Sequence, residues 1–236
     1  MLHVGRCGST VVARMLGAHP SITWDGEIFE PSHRAELAEP AGLAPAELIA
    51  RRKARAPHAY GFETKYLQSH HLGALAMTLE SYLAMLGSLG FDRFVALHRR
   101  NYLRRVVSGA VGREAGRWHR SRPGSGNPVT ITLDPHRVPF GGDQALLDVF
   151  AELAAGEDAL HRLLPAATVW LSYEDDIAHD PTVAYRRICG LLGVAPAQVA
   201  PVLYPTNPFP LCDIVENYGE IEELLSGTRY EWMLAG

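Results

Sequence analysis

The sequence predicts an α/β protein of three layers, a central parallel sheet flanked by helices. Strand-like and helix-like segments alternate along the chain, which is the pattern of parallel strands joined by crossover helices. Two runs, Phe94-Val95-Ala96-Leu97-His98 and Thr168-Val169-Trp170-Leu171, have the unbroken apolar character of strands buried on both faces. At two places a short apolar strand runs directly through polar or glycine residues into a helical pattern, near Gly5 and near Arg100.

Taken in order, residues 2–4 form a short strand, and Val11, Val12, Met15 and Leu16 then recur at helical spacing up to residues 17–20. Residues 22–24 are a second extended piece, and Asp25-Gly26 is a turn signal that sets Glu27 at a strand end. Pro45 starts a helix that runs to Arg55, residues 60–65 alternate as one short strand, and residues 72–89 read as one long apolar helix. After the strand at 94–98, a helix holds Val106 and Val107. Residues 117–142 are rich in Arg, Gly, Pro and Ser, with one short extended piece at 129–133, and read as a long functional loop or lid. A helix over 143–164 ends at Pro165; the strand at 168–171 follows, and Asp180-Pro181 supplies a cap and first-turn proline for the next helix. No repeat or linker interrupts the chain, so residues 1–236 are expected to form one domain.

With 47% hydrophobic and 20% charged residues the chain has the composition of an ordinary globular protein. A net charge of −4 argues against a general nucleic-acid binder while leaving room for a local basic pocket. Cys7, Cys189 and Cys212 have neither the number nor the spacing of a disulfide framework, and no apolar run reaches the length of a signal peptide or membrane span. The expectation is a cytoplasmic protein with no integral membrane segment. The eleven histidines include no metal-ligand spacing, so no metal is expected.

The chemistry concentrates in three places. In Gly5-Arg6-Cys7-Gly8-Ser9-Thr10, glycine lets backbone N–H groups approach an anion, the helix N-terminus points at it, two hydroxyls add donors and Arg6 supplies a cation. The turn is shorter than the Walker pattern and lacks its Lys-Ser/Thr pair, which disfavours ATP hydrolysis. Arg100 and Ser108, eight residues apart at the second strand-to-helix junction, are suited to a second phosphate. The third block is Trp170-Leu171-Ser172-Tyr173-Glu174-Asp175, followed by Asp180-Pro181 and Leu191-Leu192-Gly193-Val194.

The order of these elements resembles that of sulfotransferases that use 3′-phosphoadenosine 5′-phosphosulfate (PAPS). That family has an N-terminal Arg/Lys-Ser-Gly-Thr/Ser-Thr turn, an Arg-Asn-(x)6-Ser segment and a later Tyr-Glu-Asp…Asp-Pro…Leu-Gly block. The segments from Asn217-Tyr218 to Gly227-Thr228-Arg229-Tyr230-Glu231-Trp232 are similar to the C-terminal part of bacterial members. The resemblance implies a P-loop-like fold and a sulfuryl transfer to an acceptor hydroxyl without a metal. Arg6, Cys7, Gly8, Ser9 and Thr10 would hold the 5′-phosphosulfate, Arg100 and Ser108 the 3′-phosphate, and Tyr173 the adenine. Cys7 departs from the usual Ser, which leaves its backbone N–H for that contact. Arg6 and Lys65 would stabilise charge on the leaving oxygen, and Glu27, in a segment similar to the Gly-Glu element of bacterial carbohydrate and tyrosine sulfotransferases, would be the base. His70 and His71 stand as alternative bases, and His119 and His136 lie in the expected lid. The acceptor class implied is a sugar, glycolipid or other natural product, with a tyrosyl or phenolic hydroxyl as the competing class. Two other readings remain open: a small-molecule kinase with a degenerate phosphate loop, and a non-catalytic nucleotide-binding module, the latter only if Glu27 lies far from the phosphate turn.

Overall fold

A computed structural model describes residues 1–37, 39–40, 42–120, 127–201, 203–204 and 206–235. In chain order its elements are β1 (Leu2–His3), α1 (Ser9–Gly17), β2 (Ile22–Trp24), α2 (Pro31–Glu36), α3 (Pro45–Arg55), β3 (Ala59–Gly61), β4 (Thr64–Lys65), α4 (His71–Ala74), α5 (Leu79–Ser88), β5 (Val95–His98) and α6 (Tyr102–Glu114). There follow β6 (Val138–Pro139), β7 (Asp143–Gln144), α7 (Leu146–Leu163), β8 (Val169–Ser172), α8 (Tyr173–Asp176), α9 (Thr182–Leu192), α10 (Leu211–Ile214), α11 (Tyr218–Leu225) and a final 3₁₀ turn (Glu231–Ala235). The fold is α/β, with a central all-parallel sheet in the order β4-β1-β5-β8 flanked by helices, consistent with three layers. Two compact units divide the chain, residues 1–98 with 154–201, and residues 99–153 with 202–236.

The first unit contains the whole parallel sheet. β1 is central and only two residues long, and both its side chains are buried. Its register pairs His3 with Lys65 of β4 and with Leu97 of β5, so these three residues share one level of the sheet. α1 buries Val12, Met15 and Leu16, an apolar stripe at positions i, i+3 and i+4. Each such side chain contributes about 1.5–3 kcal/mol on burial, and Leu16→Ala would give up about 2–5 kcal/mol. α9 ends on Gly193, which takes the left-handed conformation (φ 72°) that only glycine adopts readily.

Three expectations require correction here. The segment at 60–65 is two strands: β3 pairs with β2 in a separate two-stranded sheet, and β4 pairs with β1, the chain changing sheets at Phe62 and Glu63. The apolar stretch at 72–89 is two helices. Ala76 turns left-handed (φ 52°), Met77 N–H bonds back to the Leu72 carbonyl, and the Thr78 hydroxyl accepts from Ser81 N–H to cap the new helix. α7 starts at Leu146 because Asp143 and Gln144 pair with Val138 and Pro139 as a short hairpin.

In the second unit Asn101 caps α6 by accepting from Arg104 N–H at 2.8 Å, and its amide donates to the Met233 carbonyl at 2.8 Å. Of the expected lid, residues 121–126 lie outside the described residues. Within residues 127–142, Ile131, Leu133, Val138 and Phe140 are buried between exposed positions, Thr130 and Thr132 donate to Glu216, and Asn217 bridges both backbone groups of Leu133. The extended piece expected at 129–133 is a single bridge, Ile131 with Val215.

Candidate functional site

The turn after β1 departs from ordinary backbone at three positions, Gly5 (φ 74°), Arg6 (φ 57°) and Gly8 (φ 86°). For Arg6 the left-handed conformation costs about 1–2 kcal/mol, a strain the surrounding sheet and helix must hold. Gly8 is the N-cap of α1 and supplies no side-chain cap, so side chains leave the first N–H groups of that helix to other partners. A Cβ at Gly8 would meet Ile177 Cγ2 at 2.8 Å and Tyr173 Cδ2 at 3.1 Å, which places the Tyr173 ring against the turn. Ser9 is buried, Thr10 and Arg6 are half-buried, and the Cys7 side chain is wholly buried beside His3. Any ligand contact at Cys7 therefore falls to its backbone, and the thiol serves as a small buried group.

Glu27 lies close to this turn. Its Oε2 is 2.6 Å from Lys65 Nζ, and a Cβ at Gly5 would meet Lys65 Cε at 3.6 Å. Its Oε1 is 3.8 Å from His3 Nε2. Lys65 also pairs with Glu30 at 3.1 Å, and His71 Nε2 lies 3.5 Å from Glu30 and 3.9 Å from Glu27. Behind His3, Glu63 stands at 3.3 Å, 3% exposed, and accepts from the Trp24 indole N–H. Burial works against charge on Lys65, yet the two carboxylates beside it raise its pKa overall; Lys65 and His71 in turn hold Glu30 below its usual range despite burial. Burial likewise disfavours ionised Glu63, but the hydrogen bonds from His3 and Trp24 prevail and lower its pKa.

A clamp one turn upstream fixes the approach of Glu27. Arg52 holds both oxygens of Asp25, at 2.8 and 2.7 Å, and Tyr60 donates to the same carboxylate at 2.9 Å. The Glu63 amide bonds the Gly26 carbonyl at 2.7 Å, and Glu30 N–H bonds the Glu27 carbonyl at 2.9 Å. Phe29 packs edge-on against Phe62, His71 and Tyr82, which orients the His71 ring.

No family model, curated protein or solved structure matches the chain. Function must therefore be argued from the residues themselves.

Of the residues singled out from sequence, the first unit brings together the turn with Tyr173, and Glu27 with Lys65 and His71. Arg100 and Ser108 belong to the second unit, Arg100 exposed just before the cap of α6 and Ser108 half-buried in its second turn. His70 is the residue before α4, with a buried Nδ1; His119 and His136 also fall in the second unit. Sequence reasoning missed His3, Glu30 and Glu63. Glu30 carried a signal, being three residues from Glu27, whereas Glu63 meets His3 only through the sheet.

The structure also sets two groups of potential metal ligands within 4.8 Å, His3 with Glu27 and Glu63, and Glu27 with Glu30 and His71. Gly5 N–H is aimed at His3 Nδ1 and Lys65 N–H at His71 Nδ1, both at 3.0 Å; in His71, whose pKa is lowered, Nδ1 therefore keeps its lone pair and Nε2 carries the proton. Burial opposes a second proton on His3, but Cys7 and Glu63 favour one and prevail, raising its pKa to about 10. Around Glu27 and Glu30, Lys65 presents an ammonium at 2.6 and 3.1 Å and His71 Nε2 stands at 3.9 and 3.5 Å.

Proposed function

We propose that the chain transfers a sulfuryl group from PAPS to an acceptor hydroxyl. The observation that carries this reading is the proximity of Glu27 and Lys65 to the Gly5 to Thr10 turn, within one compact unit. A remote Glu27 would have favoured a mere nucleotide-binding module.

In the reaction, the backbone N–H groups of the turn, Arg6, Ser9 and Thr10 hold the phosphosulfate. Tyr173, whose ring stands against Gly8 of that turn, lies against the adenine. The acceptor O–H proton passes to the Glu27 carboxylate as the oxygen attacks sulfur; the bond from sulfur to the bridging phosphate oxygen breaks, and its electron pair leaves with 3′-phosphoadenosine 5′-phosphate. Arg6 and Lys65 stabilise charge on that leaving oxygen. The favoured acceptors are sugars, glycolipids or related natural products, with a phenolic hydroxyl as the second class, and the proposed setting is the cytoplasm. Among the described residues no helix is long and apolar enough to cross a membrane.

Thermal unfolding with added nucleotides tests the donor. At one hundred times its Kd, 3′-phosphoadenosine 5′-phosphate stabilises the folded state by about 2.7 kcal/mol, a rise in Tm of about 5–10 °C, with no metal added. A larger rise with ATP and magnesium would transfer the reading to a kinase.

A further inference from the structure

We propose that His71 is a fixed hydrogen-bond donor to the reacting acceptor oxygen and not an alternative base; this rests on the sulfuryl-transfer reading. His71 opens α4 and is 5% exposed. The Lys65 backbone N–H occupies its Nδ1 lone pair at 3.0 Å, so the ring has no lone pair to offer at Nε2. A base is excluded by that geometry and a donor is required by it.

The donor has somewhere to point. Nε2 is buried and makes no hydrogen bond among the described residues, although Glu30 Oε2 and Glu27 Oε2 lie 3.5 and 3.9 Å away. A buried N–H left in this state costs about 1–3 kcal/mol. An oxygen about 2.8 Å from both His71 Nε2 and Glu27 Oε2 closes a triangle on their 3.9 Å separation. A hydroxyl fits that vertex: its proton goes to Glu27, one lone pair accepts from His71 and the other attacks sulfur. A neutral amine has a single lone pair, which cannot both accept from His71 and attack. The site therefore selects oxygen acceptors over nitrogen acceptors.

The surroundings keep the ring neutral. Burial first, then Lys65 and His3, oppose an imidazolium, while Glu27 and Glu30 favour one, and the balance lowers the pKa to about 4. Phe29 holds the ring edge-on.

Two measurements on the full chain decide the matter. Imidazole ¹⁵N spectra of the wild-type protein should give His71 as a single Nε2–H tautomer from pH 5 to 8; an Nδ1–H tautomer, or titration in that range, overturns the proposal whatever the reaction. Transfer from labelled PAPS to a panel of alkyl glycosides and phenols, each with its amine counterpart, is then compared for His71→Gln and His71→Asn. Gln places an amide N–H near the position of Nε2, whereas Asn offers an acceptor at Nδ1 and no distal donor. His71→Gln should stay within about tenfold of wild type, and His71→Asn should lose about 10²-fold in kcat with the acid limb of the pH profile unmoved. Equal loss in both variants, disappearance of the acid limb, or ready transfer to the amines overturns the donor role alone. No transfer by the wild-type protein overturns the sulfuryl reading and the donor role with it.

Discussion

At Gly8 two constraints coincide, a left-handed backbone and a neighbour where a Cβ would stand, 2.8 Å from Ile177. Gly8→Ala should destabilise the fold by about 2–4 kcal/mol, from the backbone term and the overpacking together, as read from urea unfolding. It should also weaken binding of 3′-phosphoadenosine 5′-phosphate, because Tyr173 must move. Glu27→Gln is expected to lower kcat by about 10²- to 10⁴-fold with donor affinity nearly unchanged, since the amide cannot take the proton. Equal loss of donor binding would show Glu27 to be part of the anion site. At this scale the turn was legible in the sequence because its parts are adjacent. His3 and Glu63 were not, since sixty residues separate them and only the pairing of β1 with β4 brings them together.

The element that positions Glu27 is a short turn held from outside. Asp25 is 9% exposed and depends on Arg52, whose guanidinium it fastens with two hydrogen bonds and whose pKa it thereby raises; burial and the same carboxylate raise the Tyr60 pKa too. Arg52→Ala leaves a buried carboxylate without its cation and should cost about 3 kcal/mol. Arg52→Lys should recover only part of that, because an ammonium cannot copy the planar fork. If both variants unfold like wild type, Asp25 has another partner in solution. Local signals found α3 to the residue, through the proline at its start, and found β2 and β5. They failed at residues 59–65 and 71–88, where unbroken alternation and unbroken apolarity hid a change of sheet and a left-handed Ala76.

For the whole molecule the buried titratable groups give stability an acid dependence. His71 binds its proton at about pH 4 in the folded chain and at about 6.5 when unfolded, facing Glu27, Glu30, Lys65 and His3. The unfolded state therefore binds more protons between those values, so this contribution is full above pH 6.5 and is lost as pH falls to 4, about 3 kcal/mol in all. Glu30 and Glu63, both held below their usual range, extend the loss under pH 4.5. Urea unfolding from pH 6.5 to 4 should show this slope, and His71→Asn should flatten its upper part; an unchanged slope would place the titration elsewhere. Half of the parallel sheet was legible at this scale because β5 and β8 lie in continuous apolar runs, whereas β1 and β4 are two residues each, Leu-His and Thr-Lys. The division into two units was not, as each unit is assembled from two separated stretches of chain and no linker marks the boundaries.

The seven residues 59–65 work as a ruler. Tyr60 braces Asp25, Glu63 backs His3 and Lys65 grips Glu27, so three contacts are spaced by one count of residues along two strands. Adding or removing one residue between Gly61 and Thr64 would either slip β4 by one position against β1, turning Thr64 and Lys65 to the opposite faces, or pull Glu63 away from His3. Length in this stretch is thus constrained more tightly than residue identity. Loop grafts or indel libraries should spare it, since none of its seven residues is exposed.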